Sequence, residues 1–305
     1  AHGFILNRGE KMSKSTGNVV DPMELARLYG VESLRYFLLR EVAFGSDGSF
    51  SDEAIVTRAN ADLSNSFGNL PQPTLAQIFK NCDAHLPVIH GHTAADNALF
   101  ETVGQAVRET MPRAFEELAL NQAVEAWMQA VFACNAYIDE QAPWALRKTD
   151  PDRMQTVLAT LYICIAQLAV GILPVIPASA TTLLDRMGID PSLRMPEAIG
   201  AHWYSPLAES DYRIEQPSAL FPRLELAAEP SACGSPTAIV TSTIRGWASN
   251  SPKSSHGRGR AAWLRCSTSP RASVNGTRYS PPRSVRRMSG PPSASTRTRR
   301  TSIRI

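Results

Sequence analysis

The feature that most constrains the fold of this chain is the helical spacing of its apolar residues between about positions 52 and 187. Apolar side chains recur there every three or four residues, which is the period of α-helices with one buried face. This spacing in four or five segments predicts an antiparallel helix bundle. The stripes comprise Ala54, Ile55, Ala59, Leu63 and Phe67; Leu99, Val103, Ala106 and Val107; Val124, Trp127, Met128, Val131 and Ile138; and Met154, Val157, Leu158, Leu161, Ile165, Leu168 and Ile172.

The most apolar stretch, residues 161–177, is the candidate for a membrane span. Gln167 interrupts it and Pro174 ends it, so it falls short of the ~20 apolar residues that a span requires. We interpret it as a helix buried within the bundle, and we expect no membrane partner.

A lysine- and hydroxyl-rich segment precedes the bundle and reads Lys11-Met12-Ser13-Lys14-Ser15-Thr16-Gly17-Asn18. It lies between the strand-like residues 3–6 and Asp21-Pro22, which is a helix-start signal; Gly30 predicts the helix end. Lysine supplies a compact charge on a flexible stem, and the hydroxyls and backbone N–H groups add donors. Such a loop suits a polyphosphate whose leaving group gains negative charge. The alternative is an ordinary Ser/Lys-rich surface loop.

This segment and its flanks resemble methionyl-tRNA synthetases of the bacterial type, whose KMSKS loop is the signature of class I aminoacyl-tRNA synthetases. The flanks that carry the resemblance are residues 3–10, 17–22 and 34–41, and a motif counts only when its context also matches. The resemblance covers residues 1 to about 226. It implies a mainly α protein: the end of a Rossmann-type catalytic domain with a stem-contact segment (1–53), an antiparallel α-helical bundle that binds the anticodon (54–188) and a C-terminal return segment (189–230).

The activity that the resemblance implies is that of a methionine–tRNA ligase. ATP activates methionine as methionyl-adenylate, and the aminoacyl group then moves to tRNA(Met). Lys11, Met12, Ser13, Lys14 and Ser15 would bind ATP with Mg²⁺ as its counter-ion. Lys14 would neutralise the departing pyrophosphate, and Lys11 would help to place the loop.

Part of the family's catalytic machinery is absent from residues 1–305. Class I enzymes build the nucleotide site from two halves of a Rossmann fold, and the first half, with its His-Ile-Gly-His-type motif, is not among these residues. We therefore expect that this stretch by itself does not form the adenylate. The family's zinc insertion is likewise absent, so no zinc site is expected. The five scattered cysteines lack a C-x-x-C pair, which fits a reducing, cytoplasmic location.

Two residues match the family's anticodon pocket, Asn69 and the Trp144 of Gln-Ala-Pro-Trp. An exposed indole can stack on a splayed base, and an amide can read a base edge. Trp127 lies inside an apolar stripe and is the better candidate for a core tryptophan. The pocket's arginine falls at Pro73, which together with Pro71 interrupts an expected continuous helix at ~3 kcal/mol each. We therefore expect weakened reading of the CAU anticodon.

A second class of function remains open, that of a non-catalytic tRNA-binding module in which only the helical domain acts. A reading frame that continues upstream into the nucleotide-binding half would favour the enzyme.

The last 75 residues differ sharply in composition from the rest. Residues 231–305 hold thirteen Arg, one Lys and no Asp or Glu, a charge of +14, whereas residues 1–230 carry a net −11. Without apolar periodicity such a segment is expected to be disordered. It is either a basic tail that binds RNA phosphates or the product of a gene read out of frame. The abrupt change where the resemblance ends favours the latter.

Overall fold

The computed structural model describes residues 3–199, 203–210 and 212–227, all within one compact unit, Ala1–Gly234. The strands are β1 (Ile5–Asn7), β2 (Glu10–Lys11) and β3 (Gly48–Phe50). The helices are α1 (Pro22–Tyr29), α2 (Val31–Glu41), α3 (Asp52–Arg58), α4 (Pro71–Asn81), α5 (Ala94–Gln105), α6 (Met111–Glu116), α7 (Leu120–Gln141), α8 (Pro143–Thr149), α9 (Pro151–Ile172), α10 (Pro177–Arg186) and α11 (Tyr204–Glu209). Two π-helical segments, Ala59–Phe67 and Ala106–Thr110, continue α3 and α5, and a 3₁₀ turn spans Pro191–Leu193. The mainly α fold is confirmed. The predicted disordered tail, residues 231–305, lies outside the described residues.

A small sheet with strand order β2-β1-β3 begins the fold. β1 and β2 are antiparallel and joined by Arg8 and Gly9, whose φ angles of 49° and 85° suit a two-residue hairpin turn. β1 and β3 are parallel, with Ile5 opposite Gly48. The connection between these two strands contains β2, the lysine-rich loop, α1 and α2, so the loop is held at both ends by the same small layer.

The first helix, α1, begins and ends where the local signals predict. The Asp21 carboxylate accepts the backbone N–H of Met23 at 2.8 Å, and Pro22 takes the first helical position. Gly30 separates α1 from α2 with φ +85°, a conformation that favours glycine. Below the loop, α1, α2, α3 and β3 share a small apolar cluster, formed by Leu25, Tyr29, Phe37, Phe50, Ile55 and Val56.

The helix bundle is built around α9. Every residue from Thr156 to Ile172 is buried, which confirms the interpretation of this stretch as a core helix; α9 is also long and apolar enough to cross a membrane by length and composition. Trp127 is fully buried, and its indole N–H donates to the carbonyl of Leu168 at 2.9 Å. Phe67 meets the Trp127 ring edge-on at a centroid distance of 4.8 Å, so Trp127 is the predicted core tryptophan.

The predicted interruption of a continuous helix before Pro71 and Pro73 is present, but the energetic cost predicted for it is not. The π-helical segment ends at Phe67, a turn follows, and α4 begins at Pro71. Both prolines therefore lie in the first turn of a new helix, where backbone N–H groups have no intrahelical acceptor. The interior penalty does not apply.

Residues 212–227 return across the bundle toward the N-terminal layer. The N–H of Ile214 donates to Ala84 at 2.9 Å. Further along, the Asn60 side chain makes a reciprocal pair with the backbone of Leu224, at 2.9 and 2.8 Å. Leu224 also packs against the small apolar cluster, so this strap joins the bundle to the base of the loop.

Candidate functional site

The lysine-rich loop lies between β2 and α1 and presents its two cations to solvent. Lys11 ends β2, and its Nζ lies 4.6 Å from the centroid of the Phe4 ring. Lys14 is exposed and makes no ion pair among the residues that the structure describes. Its ammonium is therefore free to meet an anionic ligand.

Asn18 holds the shape of the loop. Its Oδ1 accepts the N–H of Ser13 at 2.8 Å, and its Nδ2 donates to the carbonyl of Lys11 at 3.2 Å. Its own carbonyl accepts from Asn7 Nδ2 at 3.0 Å, which ties the loop to β1. The Thr16 hydroxyl lies 2.8 Å from Asn18 Oδ1 and 3.0 Å from the carbonyl of Ser13. Sequence reasoning missed this role, although an Asn after a loop glycine (Gly17, φ +69°) is a known local turn signal.

The other predicted loop residues, Met12, Ser13 and Ser15, lie on two different sides of the loop. Met12 is partly buried and packs against the small apolar cluster, so its side chain anchors the loop. Ser13 and Ser15 pair through their hydroxyl oxygens at 2.6 Å. Beneath them an apolar cavity of about 220 Å³ is lined by Met12, Val20, Leu25 and neighbouring side chains. The loop thus has an apolar base and a polar, cationic exposed side.

Helix α2 connects the base of the loop to the bundle through groups at the α9–α10 corner. The Glu32 carboxylate accepts the backbone N–H groups of Ala178 at 2.6 Å and Ser179 at 3.1 Å. Arg35 Nε donates to the carbonyl of Val175 at 3.0 Å. These contacts satisfy backbone groups at two helix ends that no intrahelical bond reaches.

A buried charge cluster forms a second connection between α2 and the bundle. The Tyr36 hydroxyl donates to Asp62 Oδ2 at 2.9 Å, and the Arg40 and Arg58 guanidiniums lie 3.6 and 3.7 Å from the same carboxylate. Burial, followed by the Asp62 charge, raises the pKa of Tyr36 well above its ordinary value. The phenol therefore remains a donor to Asp62 at all physiological pH values.

The two predicted anticodon residues lie on exposed parts of the bundle. Trp144 is the second residue of α8 and is 55% exposed, in contrast to the buried Trp127. Asn69 is exposed in the turn before α4. A hydrogen bond of 3.2 Å from Asn135 Nδ2 on α7 to the carbonyl of Ser66 ties α7 to the end of the π-helical segment that precedes Asn69.

The residues described here contain no group of three or more His, Cys, Asp or Glu side chains placed to hold a metal ion. His90 lies 3.6 Å from Asp152 Oδ1, and His92 meets the Phe100 ring edge-on at 5.2 Å.

Comparison with known proteins identifies both halves of this arrangement. A family model described as "tRNA synthetases class I (M)" matches residues 1–75, and one described as "Anticodon binding domain of methionyl tRNA ligase" matches residues 86–228. The synthetase loop segment and the helical anticodon-binding domain together place the chain in the class I aminoacyl-tRNA synthetases.

The chain belongs to the methionyl-tRNA synthetase family. It is 46% identical over 223 residues to the methionine–tRNA ligase of Brucella suis, covering 73% of this chain and 42% of that one. The Mycobacterium leprae ligase is 41% identical over 229 residues, with 74% and 42% coverage. The structure of Mycobacterium tuberculosis methionyl-tRNA synthetase in complex with methionyl-adenylate superimposes with a TM-score of 0.68 at 42% identity, covering 73% of this chain and 43% of that one. The chain thus spans less than half the length of these relatives.

Proposed function

We propose that this chain supplies the KMSKS loop and the anticodon-binding domain of a methionine–tRNA ligase. The reaction is the ATP-dependent activation of methionine to methionyl-adenylate, followed by transfer to tRNA(Met). The observation that carries the proposal is an exposed Lys14, without an ion-pair partner in the part of the chain that the structure describes, on a loop that Asn18 holds in shape; the chain also matches both family models.

In this proposal the loop acts on the polyphosphate of ATP. When the methionine carboxylate attacks the α-phosphorus, the bond to the bridging oxygen breaks and negative charge accumulates on the departing pyrophosphate. The Lys14 ammonium neutralises that charge, which stabilises the transition state more than the ground state. Lys11, Met12, Ser13 and Ser15 complete the ATP-binding loop. Mg²⁺ would accompany ATP and be held largely by its phosphate oxygens and water.

The bundle, in this proposal, binds the anticodon of tRNA(Met). The exposed Trp144 indole would stack on a splayed base, a contact worth ~1–3 kcal/mol. Asn69 would read a base edge through its amide. Pro73, which stands where the family has an arginine, offers no donor, so we still expect reduced selectivity for CAU. Because α4 begins normally at Pro71, the reduction would come from the lost side chain and not from a broken helix.

The domain boundaries that go with this proposal are residues 1–53 for the end of the catalytic domain, 54–188 for the anticodon-binding domain and 189–230 for the return segment. The enzyme would act in the cytoplasm. Residues 1–305 by themselves would not form the adenylate, because the charge stabilisation requires both halves of the nucleotide site.

The Lys14→Ala variant tests the proposal in the intact enzyme that carries these residues. Removal of a group that stabilises transition-state charge typically costs ~2.7–4 kcal/mol, so kcat for methionine-dependent ATP–pyrophosphate exchange should fall about 10²–10³-fold. The KM for methionine should change little. Lys80→Ala, which removes an exposed lysine on α4, is the control and should leave kcat unchanged. A wild-type kcat for Lys14→Ala, or a defect confined to the methionine KM, would remove Lys14 from this role.

A further inference from the structure

A buried carboxylate lies behind the corner that presents Trp144. The Asp96 side chain is fully buried and takes part in a capping box with Thr93 at the start of α5. Arg153, in the first turn of α9, donates to both of its oxygens, with Nη1 at 2.6 Å from Oδ2 and Nη2 at 2.9 Å from Oδ1. The Tyr137 hydroxyl of α7 also donates to Oδ1. Three helices therefore meet at one carboxylate.

The same guanidinium reaches the end of α7. Arg153 Nη2 donates to Gln141 Oε1 at 2.7 Å, and Gln141 is the last residue of that helix. Ala142 follows with φ 42° and ψ 60°, a left-handed conformation that alanine rarely adopts, and Pro143 is buried. Trp144 comes next. The path from the buried carboxylate to the exposed indole thus runs through the Asp96–Arg153 pair, the Arg153–Gln141 hydrogen bond and a conformationally restricted corner.

The orientation of Trp144 depends on this corner. More than half of its surface is exposed, so side-chain packing holds it less firmly than it holds a core residue. Stacking on a base requires a defined ring plane, and a group that is already oriented loses less entropy when it binds. The backbone that precedes Trp144 is held at Gln141. The Gln141 side chain accepts a hydrogen bond from Arg153, which lies twelve residues later in the first turn of α9.

We propose that Arg153 is a positioning residue for RNA recognition: by bridging Asp96 to Gln141 it fixes the α7–α8 corner so that Trp144 presents its ring to an unstacked anticodon base. This inference rests on the proposed function, because it takes the stacking role of Trp144 as given. In addition, base stacking by Trp144 depends on Asp96, Arg153 and Gln141, which do not themselves touch RNA.

The test compares Gln141→Leu and Trp144→Ala, singly and combined, in the full 305-residue chain. Gln141→Leu removes only the acceptor at the corner and leaves the Asp96–Arg153 pair intact, whereas Arg153→Gln would strand a buried carboxylate and could unfold the bundle. Gln129→Leu is the matched control, because Gln129 lies on the same helix and also makes a side-chain hydrogen bond, with Glu125 at 2.6 Å. Dissociation constants are measured for a tRNA(Met) anticodon stem-loop and for the same stem-loop with a substituted anticodon.

We expect Trp144→Ala to weaken binding of the CAU stem-loop on the order of 10-fold. Gln141→Leu should weaken it roughly threefold to 10-fold, but it should have no further effect once Trp144 is alanine, because it acts through that ring. The two variants should also weaken binding of the substituted stem-loop, because stacking tolerates any base. Gln129→Leu should bind both stem-loops as wild type does. A role confined to stability would not produce this dependence on Trp144.

The possible failures are distinguishable. One failure is that Trp144→Ala weakens binding and Gln141→Leu does not; another is that Gln141→Leu weakens binding equally whether residue 144 is Trp or Ala. In either case the positioning role is refuted and the proposed function stands. If Trp144→Ala binds the CAU stem-loop as tightly as wild type, the stacking role itself is wrong and the positioning role falls with it.

Discussion

The strongest pH-dependent prediction concerns Asp96. Burial alone would raise the pKa of this carboxyl, but the hydrogen bonds from Arg153, Tyr137 and the Thr93 backbone N–H outweigh burial and lower it to about 2. Relative to the ordinary value of 3.8, this corresponds to about 2 kcal/mol of folding free energy, since one pKa unit is worth about 1.4 kcal/mol. The side chain is fully buried, so solvent screening removes little of it.

The sign follows from proton binding. Between pH 3.8 and about 2 the unfolded chain takes up a proton at Asp96 that the folded chain does not, so this contribution is complete above the ordinary pKa and is lost as the pH falls through about 2. Asp96→Asn cannot titrate and should lack this dependence. The stability difference between wild type and Asp96→Asn should therefore shrink by about 2 kcal/mol from pH 5 to pH 2.

Urea unfolding followed by helical circular dichroism, at intervals between pH 2 and 7, measures this difference. Other carboxylates titrate in both proteins, so their effects cancel in the comparison. Asp139→Asn, which changes an exposed carboxylate on α7, serves as the control and should follow wild type. A constant difference between wild type and Asp96→Asn over this range would refute the assignment of a charged, hydrogen-bonded Asp96.

Two further substitutions test the loop and its connection to the bundle. Asn18→Ala removes the hydrogen bonds to Ser13 and Lys11, each worth roughly 1 kcal/mol of stability. It should therefore lower the free energy of unfolding by about 1–2 kcal/mol and the adenylation rate of the intact enzyme roughly 10-fold; a wild-type rate would show that the loop needs no such support. Glu32→Gln keeps the shape of the side chain but loses one acceptor for the Ser179 N–H, and it should destabilise the chain by about 1 kcal/mol in urea unfolding, whereas Glu24→Gln in the exposed first turn of α1 should not; equal stabilities would argue against the Glu32 contact.

Local sequence signals predicted the elements whose cause is local. The apolar stripe that includes Met154 and Ile172 predicted the buried α9, and Asp21-Pro22 and Gly30 predicted the bounds of α1, because helix period, capping and glycine conformation act within about four residues. The same reasoning separated the buried Trp127 from the exposed Trp144. The mainly α fold and the family followed from these patterns and from the KMSKS segment with its flanks. The roles assigned to Lys11, Lys14 and Asn69 stay predictions, since they depend on ligands.

What only the tertiary structure decided involves partners that are distant in sequence. The Asp96 carboxylate is bonded by residues 41 and 57 positions away, and Glu32 contacts a helix end 147 positions away. No local pattern marks such pairs, because a buried charge is stabilised by whichever groups the fold brings to it. Pro73 is a second case that the local sequence did not decide, because a proline costs ~3 kcal/mol inside a helix and little in its first turn. Whether Pro73 would lie inside a helix or in its first turn was decided by where the packed π-helical segment ended, at Phe67.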